Sequence, residues 1–150
     1  MYTIEEFDNA KTKVLKYVLY KKRTVQEIKQ KFGQTIEDAL LADVIEELKQ
    51  IGYVSDENYI QRAIAEFMAL KNLSIKEIKY KLMAKGVPNK VIEQYIGEHR
   101  EELEDYEAKS AENIAIRKSV NMEEIEIKQY LMKKGYSTDH ITEALEKLEE

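Results

Sequence analysis

The chain lacks several residues on which many folds and active sites depend. Of its 150 residues none is cysteine or tryptophan, one is proline and five are glycine. Without cysteine the chain can form no disulfide and no thiolate metal site, which fits a reducing compartment. With so little glycine and proline, few positions interrupt a helix. The hydrophobic share of 43% is nevertheless too high for a fully disordered chain.

Membrane-spanning and export signals are also absent. The sequence has no run of about 18 apolar residues of the kind that crosses a bilayer. Its first residues, Met1–Glu6, do not form the charged and apolar pattern of a signal peptide. We therefore expect a cytoplasmic protein. The abundance of lysine, glutamate, isoleucine, leucine and alanine favours an all-helical fold.

Catalytic motifs are missing as well. There is no glycine-rich phosphate loop, no Gly-x-Ser-x-Gly motif and no cysteine nucleophile. The two histidines, His99 and His140, are far apart and lack a metal-binding spacing, so we expect both on the surface. The carboxylates stand at salt-bridge spacing on expected exposed faces. The sequence thus predicts a binding protein that uses no cofactor and no metal, and not an enzyme.

An internal repeat organises what is present. The tripeptide Glu-Ile-Lys occurs at 27–29, 77–79 and 126–128, about 50 residues apart. The longer segments 74–86 and 123–135 share Glu, Ile, Lys, Leu, Met, Lys and Gly at matching positions. Such a period indicates stacked repeats of one small unit. We predict an all-α fold of three tandem three-helix repeats, with units at 1–52, 53–100 and 101–150, that form an elongated, curved rod.

The repeated tripeptide has a structural explanation for two of its three residues. Thr24 and Ser74 each precede a glutamate by three residues, which predicts a capping box at the start of a helix. The isoleucine falls on the apolar stripe of that helix. Gly33 suits the left-handed position after the first of these helices. The lysine has no such role, which leaves as functional candidates Lys29, Lys79 and, in the most acidic part, the weaker Lys128.

Charge is segregated along the chain although the formal net charge is only −5. The stretches 11–31 and 71–90 are strongly basic, whereas 98–112 is acidic. Solvated helical faces would explain the basic stretches, but tyrosines interleaved with lysines also suit nucleic acid or an aromatic-anchored protein interface. The candidate contact residues in the first two units are Lys13, Lys16, Tyr17, Tyr20, Lys21, Lys22, Arg23, Lys29, Lys76, Lys79 and Lys85.

One alternative is a winged-helix regulator that binds specific DNA sequences. The segments 24–28 and 44–54 imitate the short helix, the recognition helix and the start of a wing. A wing requires a β-hairpin after Val54, but Ser55–Ile60 has the character of a helix start. The repeat also explains the segment without a wing, so this alternative ranks second. A generic helical adaptor is a further alternative.

Three motifs of the chain resemble those of the RecX family, bacterial regulators of the RecA recombinase. Gly52–Tyr59 is similar to the family's segment Gly-Tyr-[Ile/Leu]-x-Asp-[Asp/Glu]-x-[Tyr/Phe]. The second motif, Ile78–Val87, resembles the signature Ile-x-x-x-Leu-x-x-Lys-Gly-Ile, and Leu131–Ser137 resembles the second Lys-Gly motif. Their order and spacing agree over nearly the whole chain. The sequence departs from the family at 69–73, which lacks the usual arginine and glycine, and in its acidic stretch.

The resemblance implies a function that composition and spacing do not. A member of this family is expected to be a non-catalytic inhibitor that binds the RecA–DNA filament along its helical groove, across more than one subunit. It limits strand exchange and ATP hydrolysis, and so tunes recombination, DNA repair and the SOS response. We expect a monomer whose lysines face acidic protein surface or the phosphates of single- or double-stranded DNA.

Overall fold

The computed structural model describes all residues, 1–150, and consists of nine α-helices without a β-strand. The helices are α1 Ile4–Tyr20, α2 Val25–Phe32, α3 Asp38–Ile51, α4 Asp56–Leu70, α5 Ile75–Ala84, α6 Asn89–Glu98, α7 Arg100–Lys118, α8 Glu124–Lys134 and α9 Thr138–Leu148. None of them is both long enough and apolar enough to cross a bilayer.

The predicted capping boxes start the middle helices of the first two units. The Thr24 hydroxyl accepts a hydrogen bond from the backbone N–H of Glu27 at 3.0 Å, and the Glu27 carboxylate accepts one from the Thr24 N–H at 3.0 Å. Ser74 and Glu77 form the same pair. At α8 the N-cap is Glu123, whose box is completed by Glu126. Local sequence therefore fixes where these helices begin.

The C-terminal ends of the helices agree less well with the sequence-based predictions than their starts do. Gly52 and Gly135 close α3 and α8 in the left-handed conformation, with φ of 100° and 96°. The expectation for Gly33 is wrong, because its φ is −61° and therefore right-handed. The chain turns there by a backbone hydrogen bond from the Ile36 N–H to the Phe32 carbonyl at 2.9 Å, so no left-handed residue is required.

Three separate hydrophobic cores follow one another along the chain. The first spans Ala10–Val54, the second Ile60–Tyr106 and the third Ala111–Leu145. Within them the isoleucines of the repeat, Ile28, Ile78 and Ile127, are at most 1% exposed. Helix α7 contributes its first half to the second core and its second half to the third. The unit boundaries at 52 and 100 stay a prediction.

The array is elongated. A compact monomer of 17.6 kDa exposes roughly 7,900 Å² on the usual area–mass relation. This chain exposes 9830 Å², about a quarter more. The predicted all-α fold of three tandem units in an elongated rod is therefore confirmed.

The winged-helix alternative is not compatible with this fold. Helix α4 begins at Asp56, directly after the segment in which a wing would start. Ser55 is its N-cap and accepts a hydrogen bond from the backbone N–H of Asn58. No β-hairpin is available to form a wing.

Two equivalent joints connect neighbouring units. The Thr24 hydroxyl donates to the backbone carbonyl of Lys85 at 2.6 Å, and the Ser74 hydroxyl donates to that of Lys134 at 2.7 Å. The next backbone N–H in each case donates to a carboxylate of the following unit. These bonds are Val25 to Asp56 at 3.2 Å and Ile75 to Glu107 at 3.0 Å. The Lys-Gly motif of one unit therefore docks on the capping box of the unit before it.

Candidate functional site at the first joint

A groove of about 740 Å³ lies between the first and second units. One wall contains Tyr20, the last residue of α1, with Lys21 and Lys22 directly after it, and another contains Lys85, which directly follows α5. Four of the predicted contact residues, from two units, thus share one surface. We call this surface the basic groove; it is further lined by Val18, Leu19, Gly52, Tyr53, Tyr59, Arg62, Ala63, Glu66 and Phe67.

The groove combines unpaired cations with aromatic rings. Lys21, Lys22 and Lys85 are exposed, and none forms a salt bridge. Its fourth cation, Arg62, pairs with Glu66 at 3.5 Å. Exposed lysines attract an anionic partner over a Debye length of about 8 Å at physiological salt. The groove is therefore suited to an acidic protein surface or a phosphate backbone.

A stripe on α1 leads to the groove. Lys13, Lys16 and Tyr20 are exposed and follow one another at spacings of three and four residues, which places them on one helical face. Tyr20 is 86% exposed. This large aromatic side chain makes no contribution to the core and is accessible to a partner.

Tyr17 and Arg23 lie beside the groove and have a structural role. The Arg23 guanidinium stacks over the Tyr17 ring at 4.1 Å from its centroid, and the ring packs edge-on against Phe32. The Arg23 Nε is shielded from solvent without a hydrogen-bond acceptor. This stacked pair fixes the segment between α1 and α2, which carries Lys21 and Lys22.

The other predicted contact residues lie elsewhere. Lys29 is exposed on α2. Lys79 forms a salt bridge with Glu93 at 3.1 Å, which supplies the structural role that the sequence did not reveal. Lys76 lies at the second joint, where a Cβ added to Gly135 would be 2.9 Å from its Cδ. These three lysines do not share a surface with the basic groove.

Sequence reasoning missed the aromatic residues of the groove. Tyr53, Tyr59 and Phe67 line it from the second unit. Burial raises the pKa of Tyr59, as do the nearby carboxylates of Glu27 and Glu66. The available signal was the motif Gly52–Tyr59, which contains both tyrosines.

The expectation for His140 is wrong. This residue is 8% exposed and lies between two carboxylates of α7. Its Nδ1 is 2.6 Å from Glu107 Oε2, and its Nε2 is 3.2 Å from Glu104 Oε2. Glu107, itself 3% exposed, also accepts the Ile75 N–H of the second joint. The expectation that the carboxylates lie on exposed faces is therefore wrong for Glu107.

This cluster is the one group of side chains whose ligand atoms, all within 4.8 Å of one another, could hold a metal ion. The carboxylates face opposite nitrogens of the imidazole, so one ion could not bind both nitrogens of the ring. Each ring nitrogen of His140 thus faces a carboxylate, and its backbone N–H donates to Ser137 Oγ. The arrangement connects α9, α7 and α5, and we assign it a structural role. The other histidine, His99, is half-buried and stacks on Tyr95 at 3.9 Å.

A second buried polar group stabilises the same region. The Tyr106 hydroxyl donates to the Leu73 carbonyl at 2.7 Å, and Ser110 Oγ lies 2.5 Å from the Tyr136 hydroxyl. Burial holds the pKa of Tyr136 well above its ordinary value, and the hydrogen bond with Ser110 offsets part of that effect. The buried side of the second joint is thus hydrogen-bonded, while Lys76 and Lys133 on its outer side form no salt bridge.

No model of a known protein family matches the chain. Individual proteins that are named regulatory protein RecX do match it. The protein of Staphylococcus carnosus is 29% identical over 139 residues, which cover 90% of this chain and 52% of that protein. That of Leuconostoc citreum is 31% identical, over 85% of this chain and 50% of its own length. The chain therefore spans about half the length of these two relatives. The protein of Clostridium acetobutylicum is 27% identical, over 97% of this chain and 72% of its own length.

Solved structures agree on the fold. The crystal structure of RecX from Lactobacillus salivarius superimposes with a TM-score of 0.81 and 24% identity, over 98% of this chain and 99% of that one. A second RecX structure gives a TM-score of 0.79 and 19% identity, over 95% and 73% of the two chains. The internal repeat, the two Lys-Gly joints, the sequence relatives and the shared fold lead to one conclusion. The chain belongs to the RecX family of regulatory proteins.

Proposed function

We propose that this protein is a non-catalytic inhibitor of the RecA recombinase. It binds the RecA–DNA filament, and thereby limits strand exchange and ATP hydrolysis during DNA repair and the SOS response. In this proposal it works as a cytoplasmic monomer. Membership of a family of regulatory proteins supports a regulatory role. The RecA filament as target follows from the family resemblance.

The observation that carries the proposal is the basic groove. Residues from two units, Tyr20, Lys21 and Lys22 on one side and Lys85 on the other, converge on one surface without carboxylate partners. These three lysines form no salt bridge within the chain, and they lie beside the exposed rings of Tyr20 and Tyr53. They provide attraction and stacking to an anionic surface, which describes both acidic protein and DNA phosphates.

The shape of the molecule supports the same proposal. An elongated array can place each of its units on a different site of a repeating partner, whereas a spherical protein of the same mass can contact fewer of these sites. The hydrogen-bonded joints hold the units at fixed distances, which suits a partner that is itself a regular filament. We infer that the stripe of Lys13, Lys16 and Tyr20 extends the contact along such a partner.

The test is the ATPase activity of RecA on single-stranded DNA with and without this protein. We expect inhibition by the wild type and a loss of at least about tenfold in potency for the triple variant Lys21→Glu, Lys22→Glu, Lys85→Glu. The matched control is Lys90→Glu, Lys109→Glu, Lys133→Glu, which makes the same change of charge at exposed lysines outside the groove. No inhibition by the wild type would contradict the proposal. So would tight binding of duplex DNA at a fixed site without RecA.

A further inference from the structure

A second groove, of about 580 Å³, lies at the opposite end of the array between α8 and α9. Its apolar lining includes Ile125 and Met132 of α8, which are 64% and 57% exposed, and Ile141 and Leu145 of α9. We call it the tail groove. An exposed apolar patch with a polar rim is typical of a protein interaction site.

The tail groove includes the face that the repeat uses for docking. In the second unit, the start of α5 is covered by the third unit. The Ser74 hydroxyl donates to the Lys134 carbonyl, the Ile75 N–H donates to Glu107, and Glu77 pairs with Lys134 at 3.1 Å. The repeat aligns segment 74–79 with segment 123–128. The start of α8, which is exposed, is thus the third copy of an established interface.

The chemistry of this third copy differs from that of the other two. Where Ser74 donates a hydroxyl hydrogen, the third unit has Glu123, which can only accept when ionised. Glu124 stands in the position of Ile75, and Ile125 in that of Lys76. The face therefore requires donors or cations from its partner, together with an apolar surface.

The carboxylates on the rim of the groove are not all explained by stabilisation of the helix dipoles. Glu124 lies in the first turn of α8, where a carboxylate stabilises the helix dipole. Glu146 lies in the last turn of α9 and Glu149 is its C-cap; a negative charge at the C-terminal end of a helix interacts unfavourably with the helix dipole. Both line the groove, and Lys128 is the single cation among its lining residues. A basic partner would compensate this excess of negative charge.

We propose that the tail groove binds a basic amphipathic helix of a partner protein. Such a helix places a row of apolar side chains on Ile125, Met132 and Leu145 and its lysines or arginines beside the acidic rim. The basic helices of this chain are not free for the purpose, since α1 and α5 bury their apolar stripes in the first and second cores. This site is independent of the basic groove and has the opposite charge.

A synthetic helical peptide provides the probe. It has about 18 residues, with leucines at i, i+3, i+4 and i+7 and lysines at the remaining positions. The control peptide keeps the leucines and replaces every lysine by glutamate. Fluorescence anisotropy of labelled peptide gives the affinity for the full chain. We expect the lysine peptide to bind at least about tenfold more tightly than the glutamate peptide.

Variants locate the binding. Ile125→Glu and Met132→Glu are expected to weaken binding of the lysine peptide about tenfold or more, because each places a charge in the apolar contact. Val120→Glu is the matched control, since Val120 is 87% exposed and does not line the groove. Circular dichroism checks the fold of each variant. Amide chemical shifts of the wild type with added peptide locate the site without any substitution.

Several results would overturn the proposal. They are equal affinities for the two peptides, equal loss of binding in the Val120 and Ile125 variants, and chemical-shift changes that map outside α8 and α9. A dimer of the wild type in sedimentation, abolished by Ile125→Glu, would assign the groove to a second copy of this chain instead. Failure of RecA inhibition leaves this test unaffected.

Discussion

The hydroxyl of Thr24 serves two units at once. It accepts a hydrogen bond from the Glu27 N–H at the start of its own helix, and it donates one to the Lys85 carbonyl of the next unit at 2.6 Å. Ser74 repeats the arrangement with Glu77 and Lys134. Helix capping and the attachment of neighbouring units therefore depend on the same atom.

This double role predicts the cost of removing the hydroxyl. Thr24→Ala loses a helix cap, which is worth about 1 kcal/mol. It also leaves the Lys85 carbonyl without its partner, which adds about 1 kcal/mol. Urea unfolding should show a loss of about 2 kcal/mol in the free energy of unfolding. The control is Thr3→Ala, which removes a capping box that contacts no other unit and should cost about half as much. Equal costs for the two variants would contradict the double role.

The glycine that follows Lys85 should be sensitive to any side chain. Gly86 has φ of 89°, and a Cβ there would lie 2.1 Å from the Cβ of Gln26 in the first unit. Gly52 shares the left-handed conformation, at φ of 100°, but a Cβ there meets nothing within 4 Å. We expect Gly52→Ala to cost about 1 kcal/mol and Gly86→Ala about 3 kcal/mol, since the second adds a clash to the strain.

Gly97, which lies within a helix, is the third case in this comparison. A Cβ there would have no neighbour within 4 Å, and its φ is not in the left-handed region. Gly97→Ala should stabilise the protein by about 0.5 kcal/mol or more. Thermal unfolding of the three alanine variants measures the order. A Gly86 variant as stable as the Gly52 variant would show that the units do not meet as closely as described.

The pair formed by His140 and Glu107 should be strongly coupled. Both side chains are buried, and Glu107 also accepts the Ile75 N–H. A double-mutant cycle with Glu107→Leu and His140→Leu should give a coupling free energy of about 1.5 kcal/mol or more. The exposed pair of Lys147 and Glu112, at 3.1 Å, is the control and should give about 0.5 kcal/mol or less. Equal coupling in the two pairs would exclude the structural role assigned to His140.

The buried hydroxyl of Tyr136 is expected to make the folded protein less stable at alkaline pH. Burial raises its pKa in the folded state above the value of about 10 in the unfolded chain. The folded state therefore holds the proton more tightly, and this contribution to stability is complete below the unfolded pKa. It is lost as the pH rises above that value towards the folded pKa.

Urea unfolding between about pH 8 and about pH 11 measures this dependence. The free energy of unfolding of the wild type should fall over this range, and that of Tyr136→Phe should fall less steeply. Tyr20→Phe is the control, since Tyr20 is exposed and should leave the wild-type slope unchanged. Identical slopes for the Tyr136 variant and the wild type would contradict the assignment.

Local patterns in the sequence were sufficient for the helices and for the repeat. The capping boxes at Thr24 and Ser74 depend on residues within one turn of each other, and the helical period of the sequence marks the apolar stripe on which the isoleucines lie. The second bond of Thr24 joins residues 61 positions apart, so no local pattern could indicate it. Gly86 of the Lys-Gly motif is likewise explained only by the packing of two units, because a Cβ there would collide with Gln26.

Local patterns in the sequence also predict only part of the candidate site. The basic stretches predicted Tyr20, Lys21 and Lys22, but their proximity to Lys85 depends on how two units pack. The sequence predicts a surface position for His140, because the histidines lack a metal-binding spacing, and for the carboxylates, because they stand at salt-bridge spacing. The burial of His140 and Glu107 results from the position of α7 between the second and third cores, which only the three-dimensional fold reveals.

Co-sedimentation shows whether the basic groove binds the RecA filament. RecA filaments on single-stranded DNA are pelleted with the wild-type protein, with the groove variant Lys21→Glu, Lys22→Glu, Lys85→Glu, and with the control variant Lys90→Glu, Lys109→Glu, Lys133→Glu. We predict that the wild type and the control pellet with the filament at low salt and that the groove variant stays in the supernatant. A groove variant that pellets as fully as the wild type, or a wild type that never pellets, would contradict the account.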